Sequence, residues 1–133
     1  MTARGTEWAD AEGGAVDYLN ARPAPAPRAF TATPNPRPAE YVRVLAIDAY
    51  DVDDAGRVEA TVLAVEGWAR TPGRARRIVN DARRALHAAE DRGVEFDGQV
   101  VRKVVEQTNP VRRSTGEEGW HMSALNVAIH QRH

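Results

Sequence analysis

The chain has 133 residues and a mass of 14.6 kDa, room for one domain of the usual ~100–150 residues. Eighteen basic residues against nineteen acidic ones leave a formal net charge of −1, so the whole chain is not a polycation built to coat nucleic acid. It contains no cysteine, which removes disulfides, thiolate metal sites and a cysteine nucleophile.

No apolar run approaches the ~18 residues of a membrane helix and no signal peptide opens the chain, so the cytoplasm is the expected compartment. Lys103 is the one lysine among the eighteen basic residues. With the abundant alanine, that bias reads as a GC-rich genome before it reads as arginine chemistry.

Residues 1–8 are expected to be a flexible N-terminus. Between residues 7 and 22, Ala11, Ala15, Val16 and Leu19 recur at helical spacing, with Tyr18 at one edge. The reading is a short amphipathic helix over residues 9–21, weakened by Gly13 and Gly14 at up to about 1 kcal/mol each. Six of the eight prolines follow in residues 23–38 (PAPAPRAFTATPNPRP). Proline fixes φ and lacks the amide hydrogen, so this stretch predicts an extended connector, with Phe30 as the residue able to pin it to the core.

Residues 41–47 and 57–68 are β-rich, joined by Asp51-Val52-Asp53-Asp54-Ala55-Gly56, which suits a hairpin tip. In the second run Ala60, Val62 and Ala64 alternate with Leu63 and Val65, so both faces are apolar. One face is expected to meet the helices and the other to need cover, for which a neighbouring subunit is a candidate.

Thr71 and Pro72 make a good helix start, and Ala75, Ile78, Val79, Ala82, Leu86 and Ala89 carry the helix to about Asp91 before Gly93 stops it. Its other face carries Arg76, Arg77, Arg83, Arg84 and His87. Residues 99–107 and 120–130 predict two closing strands around a polar loop, 109–119. The predicted fold is α+β: a mostly antiparallel four-stranded sheet with two helices in the order α-β-β-α-β-β, all one domain.

Enzyme signatures are missing: there is no GxxxxGK[ST] loop and no GxSxG elbow, and the only serines are Ser114 and Ser123. His87, His121, His130 and His133 form no metal-ligating pair, and each reads as a solvated or structurally bonded residue. Asp51, Asp53 and Asp54 lack the distal glutamate of a calcium loop and read as a solvated tip.

Glu66 interrupts an apolar run before Trp68 and is expected to pair with an arginine at a sheet edge or to contact a partner; a general-acid role is the weaker alternative. The helix arginines are a solvated face, a contact for an acidic protein surface, or, least favoured, a phosphate site, because no aromatics interleave them. Trp8, Trp68 and Trp120 read as core or interface. No catalytic residue, metal or cofactor is expected.

The run Pro34-Asn35-Pro36-Arg37-Pro38-Ala39-Glu40-Tyr41-Val42-Arg43-Val44, then Val65-Glu66-Gly67-Trp68-Ala69 and the alanine- and arginine-rich helix at 72–90, resembles the tail terminator family of long-tailed actinobacterial phages. The resemblance covers about residues 10–132, and the family's glycine-rich turn after the first strand is replaced here by the acidic stretch 51–56. It implies a lambda-type terminator fold and a six-membered ring at the head-proximal end of the virion tail. The implied partners are further copies of the chain, the tail tube protein, the head–tail connector and genomic DNA that passes without specific binding.

With that family in view, Arg76, Arg77, Arg83, Arg84, Asp51, Asp53, Asp54, Glu66, Trp68, Arg112 and Arg113 are the candidate interface residues. A head–tail connector or tail-completion subunit is the first alternative, and a nucleic-acid-binding accessory protein the second.

Overall fold

Thr71 and Pro72 start the long helix as their chemistry dictates. In the computed structural model, which describes residues 8–53 and 55–132, Pro72–Arg92 form one helix. The Thr71 hydroxyl accepts from the Arg74 amide at 3.3 Å, and Gly93, at φ 61°, ends the helix in a conformation that strains other residues. The N-terminal helix, α1 (Ala11–Asn20), is shorter than expected because Asp10 caps it, accepting from the Gly13 amide at 2.9 Å. The long helix is therefore α2. Expectations for residues 1–7, Asp54 and His133 lie outside the described residues.

The class is α+β, with two helices among the described residues, but the four-stranded sheet and its simple order are corrected. Among the described residues there are seven strands: β1 (Ala29–Phe30), β2 (Tyr41–Asp51), β3 (Val58–Ala69), β4 (Glu95–Phe96), β5 (Gln99–Glu106), β6 (Val111–Arg113) and β7 (His121–Arg132). They form a sheet in the order β1-β2-β3-β7-β5-β4, with β6 also beside β7. β1 runs parallel to β2, so the sheet is mixed; the other pairings are antiparallel. Strands of two or three residues are too short to show an alternating pattern, which is why the sequence hid three of them.

Two bulges set which side chains face where. A register shift between Val101 and Lys103 turns both Val101 and Val104 to the helix side, where both are buried. A second shift, between Ala46 and Asp48, leaves Ile47 outside the β2–β3 register and 53% exposed, and the strand runs on to Asp51 rather than ending at residue 47.

The main core lies between the helices and one face of the sheet, built from Leu63, Val65, Leu125, Val127, Ile129 and the apolar faces of α1 and α2. Gly67 lets α2 lie close: a Cβ there would sit 2.5 Å from the Ala75 carbonyl oxygen and 2.7 Å from the Val79 nitrogen. On the opposite face Tyr41, Trp68, Met122 and Ala124 form a second cluster, with Phe30 and Trp120 packed on it.

Phe30 thus pins the proline-rich arm, but to the second cluster and not to the main core; its neighbour Ala29 is the residue that joins the main core. The Asn20 side chain fixes β1 by bonding both the nitrogen and the oxygen of Ala29, at 2.7 and 3.0 Å.

Inside the short edge strands β1 and β4, the longer strands β2 and β5 are partly plugged by carboxylates from the helices. Glu12 Oε2 accepts from the Ala46 amide at 2.7 Å, and Glu90 Oε1 from the Val104 amide at 2.6 Å. Filling an edge donor this way blunts unwanted strand pairing.

Candidate functional site

Three surfaces concentrate the chemistry, and they lie in different parts of the fold. The first is a groove of about 670 Å³ between the arm and α2. Its walls are Pro23, Pro25, Pro27 and Ile78, and four arginines surround it (Arg22, Arg74, Arg77 and Arg84) with Asp81 as the one acid of the lining.

Helical spacing explains the row: positions 74, 77, 81 and 84 fall on one side of α2. Arg22 Nη1 pairs with Asp81 Oδ2 at 2.5 Å, and Arg84 Nη2 stands 4.0 Å from Asp81 Oδ1. Arg74 binds Glu40 in bidentate fashion, at 2.7 and 2.8 Å, which holds the Glu40 carboxyl below the usual carboxylate range. Arg77 is exposed and makes no ion pair among the described residues.

The predicted arginine face is therefore split. Arg77 and Arg84 line the groove, whereas Arg83 leaves it and pairs with Glu106 on β5, beside His87 Nε2 at 3.1 Å from the same carboxylate. Arg76 is exposed and does not line the groove. Hydrogen bonding from Arg83, with a further bond from His87, holds the Glu106 carboxyl below its ordinary range against the opposing effect of burial. Sequence reasoning missed Arg22 and Arg74, because nothing in their spacing signals that the arm folds back over α2.

The second surface is the outer part of the β2–β3 hairpin. Residues 46–50 are exposed, and Ile47, Tyr50 and Val52 account for three of the six large hydrophobic side chains that reach solvent among the described residues. Asp48 is exposed beside them and Asp51 closes β2.

Asp53 does something more local than expected. Its Oδ1 accepts from the amides of Arg57 and Val58 at 2.9 and 3.2 Å, and its other oxygen stands 3.8 Å from Arg57. Those backbone bonds, led by Val58, lower its pKa. Asp53 builds the turn, and Asp48, which the sequence reading did not single out, is the acid displayed on the strand.

The third surface is the aromatic cluster. Tyr41 and Trp68 stack at 5.7 Å with planes 6° apart, and Trp120 meets both edge-on at 5.9 and 6.4 Å. The Arg37 guanidinium lies 3.9 Å from the Trp120 ring centre and pairs with Glu117 at 2.5 Å, tying the arm to the loop before β7.

Glu66 sits on the predicted side of β3, opposite Arg43 in register, and accepts from Arg43 Nε at 2.7 Å and Trp68 Nε1 at 2.9 Å. It is an intrachain strut. Trp68 is core of this cluster, 5% exposed. Arg112 and Arg113 stand exposed on β6, at the rim of a shallow depression of about 540 Å³ that also takes in Ser114, Thr115 and His121.

Among the described residues no helix is long and apolar enough to cross a membrane, and no three His, Asp or Glu side chains are grouped to hold a metal ion. No protein-family model and no curated protein matches the chain.

Proposed function

We propose that the chain is a virion structural protein. In this reading copies form a ring that caps the head-proximal end of a phage tail tube, stops its growth and joins it to the head connector. The observation that carries the reading is the β2–β3 hairpin, where Ile47 and Tyr50 on the outer strand and Val52 just past it stand in solvent. Apolar side chains gathered on one projecting element mark a protein contact rather than a solvated tip.

The resemblance of residues 34–44 and 65–69 to tail terminators supplies the kind of assembly. A capping ring needs unlike surfaces, because head-to-tail contacts close into rings only when each subunit offers two different patches. The arginine groove and the hairpin are two such patches. Six copies is the number the resemblance implies.

Electron microscopy of particles made without the protein tests this: overlong, headless tails are the expected result. Short-tailed or leaking heads would instead assign it to the connector. The four groove arginines favour one other reading, a nucleic-acid accessory protein, for which a salt-sensitive shift of labelled DNA is the sign.

A further inference from the structure

We infer that the arginine-lined groove between the arm and α2 receives the β2–β3 hairpin of a second copy of this chain. The inference rests on the ring-forming reading and names its contact. The groove and the hairpin match in two independent respects.

The groove has apolar walls, Pro23, Pro25, Pro27 and Ile78, beneath four cations. The outer strand of the hairpin presents Ile47 and Tyr50 with the exposed Asp48 between them, and Val52 follows just past the strand end. Apolar area therefore meets apolar area while the Asp48 carboxylate meets guanidinium groups, the arrangement that fixes register and speeds encounter. Arg22 lines the same groove, and its Nη2 is buried with no hydrogen-bond partner among the described residues.

The two patches cannot satisfy each other inside one chain. β3 runs twelve residues from the hairpin to the start of α2, about 36–40 Å at the usual strand rise. The hairpin is at one end of that strand, and Arg74 and Arg77 follow the other end. A contact between unlike patches at opposite ends is heterologous and propagates from copy to copy until it closes.

The absence of native cysteine makes the test clean. A chain carrying Val52→Cys and Asn80→Cys, one on the hairpin and one in the groove lining, is oxidised and run without reductant. The inference expects a ladder of covalent oligomers, ending at the ring number, and single dimers when the two single-cysteine chains are mixed. A Val111→Cys/Asn80→Cys pair, with the first residue on β6, serves as the control that stays uncoupled.

Adding Arg77→Glu is expected to cut the cross-linked yield about tenfold, and Asp48→Arg in the same chain to recover it. Circular dichroism of each variant separates misfolding from lost contact.

No cross-link from a folded double-cysteine chain overturns the inference, whether or not the chain self-associates by another surface. If that chain still gives normal tails with a ring at the neck, the terminator reading survives alone. A ladder in solution from a chain absent from particles leaves the contact standing and removes the terminator reading. A DNA shift abolished by Arg77→Glu, with no ladder, assigns the groove to nucleic acid and also overturns the inference.

Discussion

The same strands carry two unlike interiors. On the helix side, Val42, Val44, Leu63, Val65, Leu125, Val127 and Ile129 meet α1 and α2 as an aliphatic layer. On the other side, Tyr41, Trp68 and Trp120 are packed with Arg37, Arg43 and Glu66, and the cover is a proline-rich arm and a loop instead of a helix.

A helix brings a regular apolar stripe and needs nothing polar beneath it. The arm has few backbone hydrogen bonds: one within it, from the Ala26 amide to the Pro23 carbonyl, and a two-residue ladder to β2. Side chains hold the rest, so the second face is built from rings, guanidinium groups and the carboxylates of Glu66 and Glu117. The first face stabilises the fold, and the second positions the arm that forms one wall of the arginine groove.

That contrast can be broken by a series of variants. The largest effect is expected from Leu63→Ala, which removes a fully buried aliphatic side chain: about 2–5 kcal/mol in urea or guanidinium unfolding. Gly67→Ala tests the same face from the opposite direction, by pushing a methyl group into the α2 backbone, at about 1–3 kcal/mol.

Arg37→Ala is expected to cost less, about 1–2 kcal/mol, with amide exchange rising in residues 30–38 and 111–120 while the helix face stays protected. Equal losses for Leu63→Ala and Arg37→Ala would mean one cooperative core and no division of labour.

Acidification sharpens the comparison through two groups. Burial, helped by Lys103, lowers the His130 pKa, so its neutral form is favoured in the folded chain. That contribution is present above about pH 6.5 and is lost as the pH falls through the lowered folded value. His130→Gln is expected to flatten that part of the urea-midpoint profile.

Glu106, held low by Arg83, contributes above its ordinary value of about 4.5 and loses that contribution only below it. Glu106→Gln leaves the upper window unchanged. The smallest global effect is expected from Asp53→Ala, which opens the turn before Val58 and is read as faster amide exchange confined to residues 52–58.

Much of the main core was legible from residue types alone. The spacing of Ala75, Ile78, Val79, Ala82, Leu86 and Ala89 can bury only as a helix stripe, and Thr71 and Gly93 fix its ends. Leu125, Val127 and Ile129 line up because alternate residues of a strand share a face.

The glycine pair in α1 does more than weaken a helix. A Cβ at Gly14 would stand 2.4 Å from the Phe96 Cβ, so its absence admits the turn that carries β4. That demand comes from a residue more than eighty positions away and leaves no local mark.

The candidate surfaces divide along the same line. The sequence by itself determined the two helices, the long strands, the proline-rich arm and the charged residues on offer, because periodicity, caps and proline chemistry act over a few neighbouring residues. Only the tertiary structure decided that Arg83 turns away to Glu106, that Asp53 is consumed by its own turn, that Arg37 locks the arm over three rings, and that Arg22 joins Arg74, Arg77 and Arg84 around one groove. Which charges are spent and which remain available depends on contacts between segments distant in sequence, and these exist only once the sheet and helices have brought those segments together.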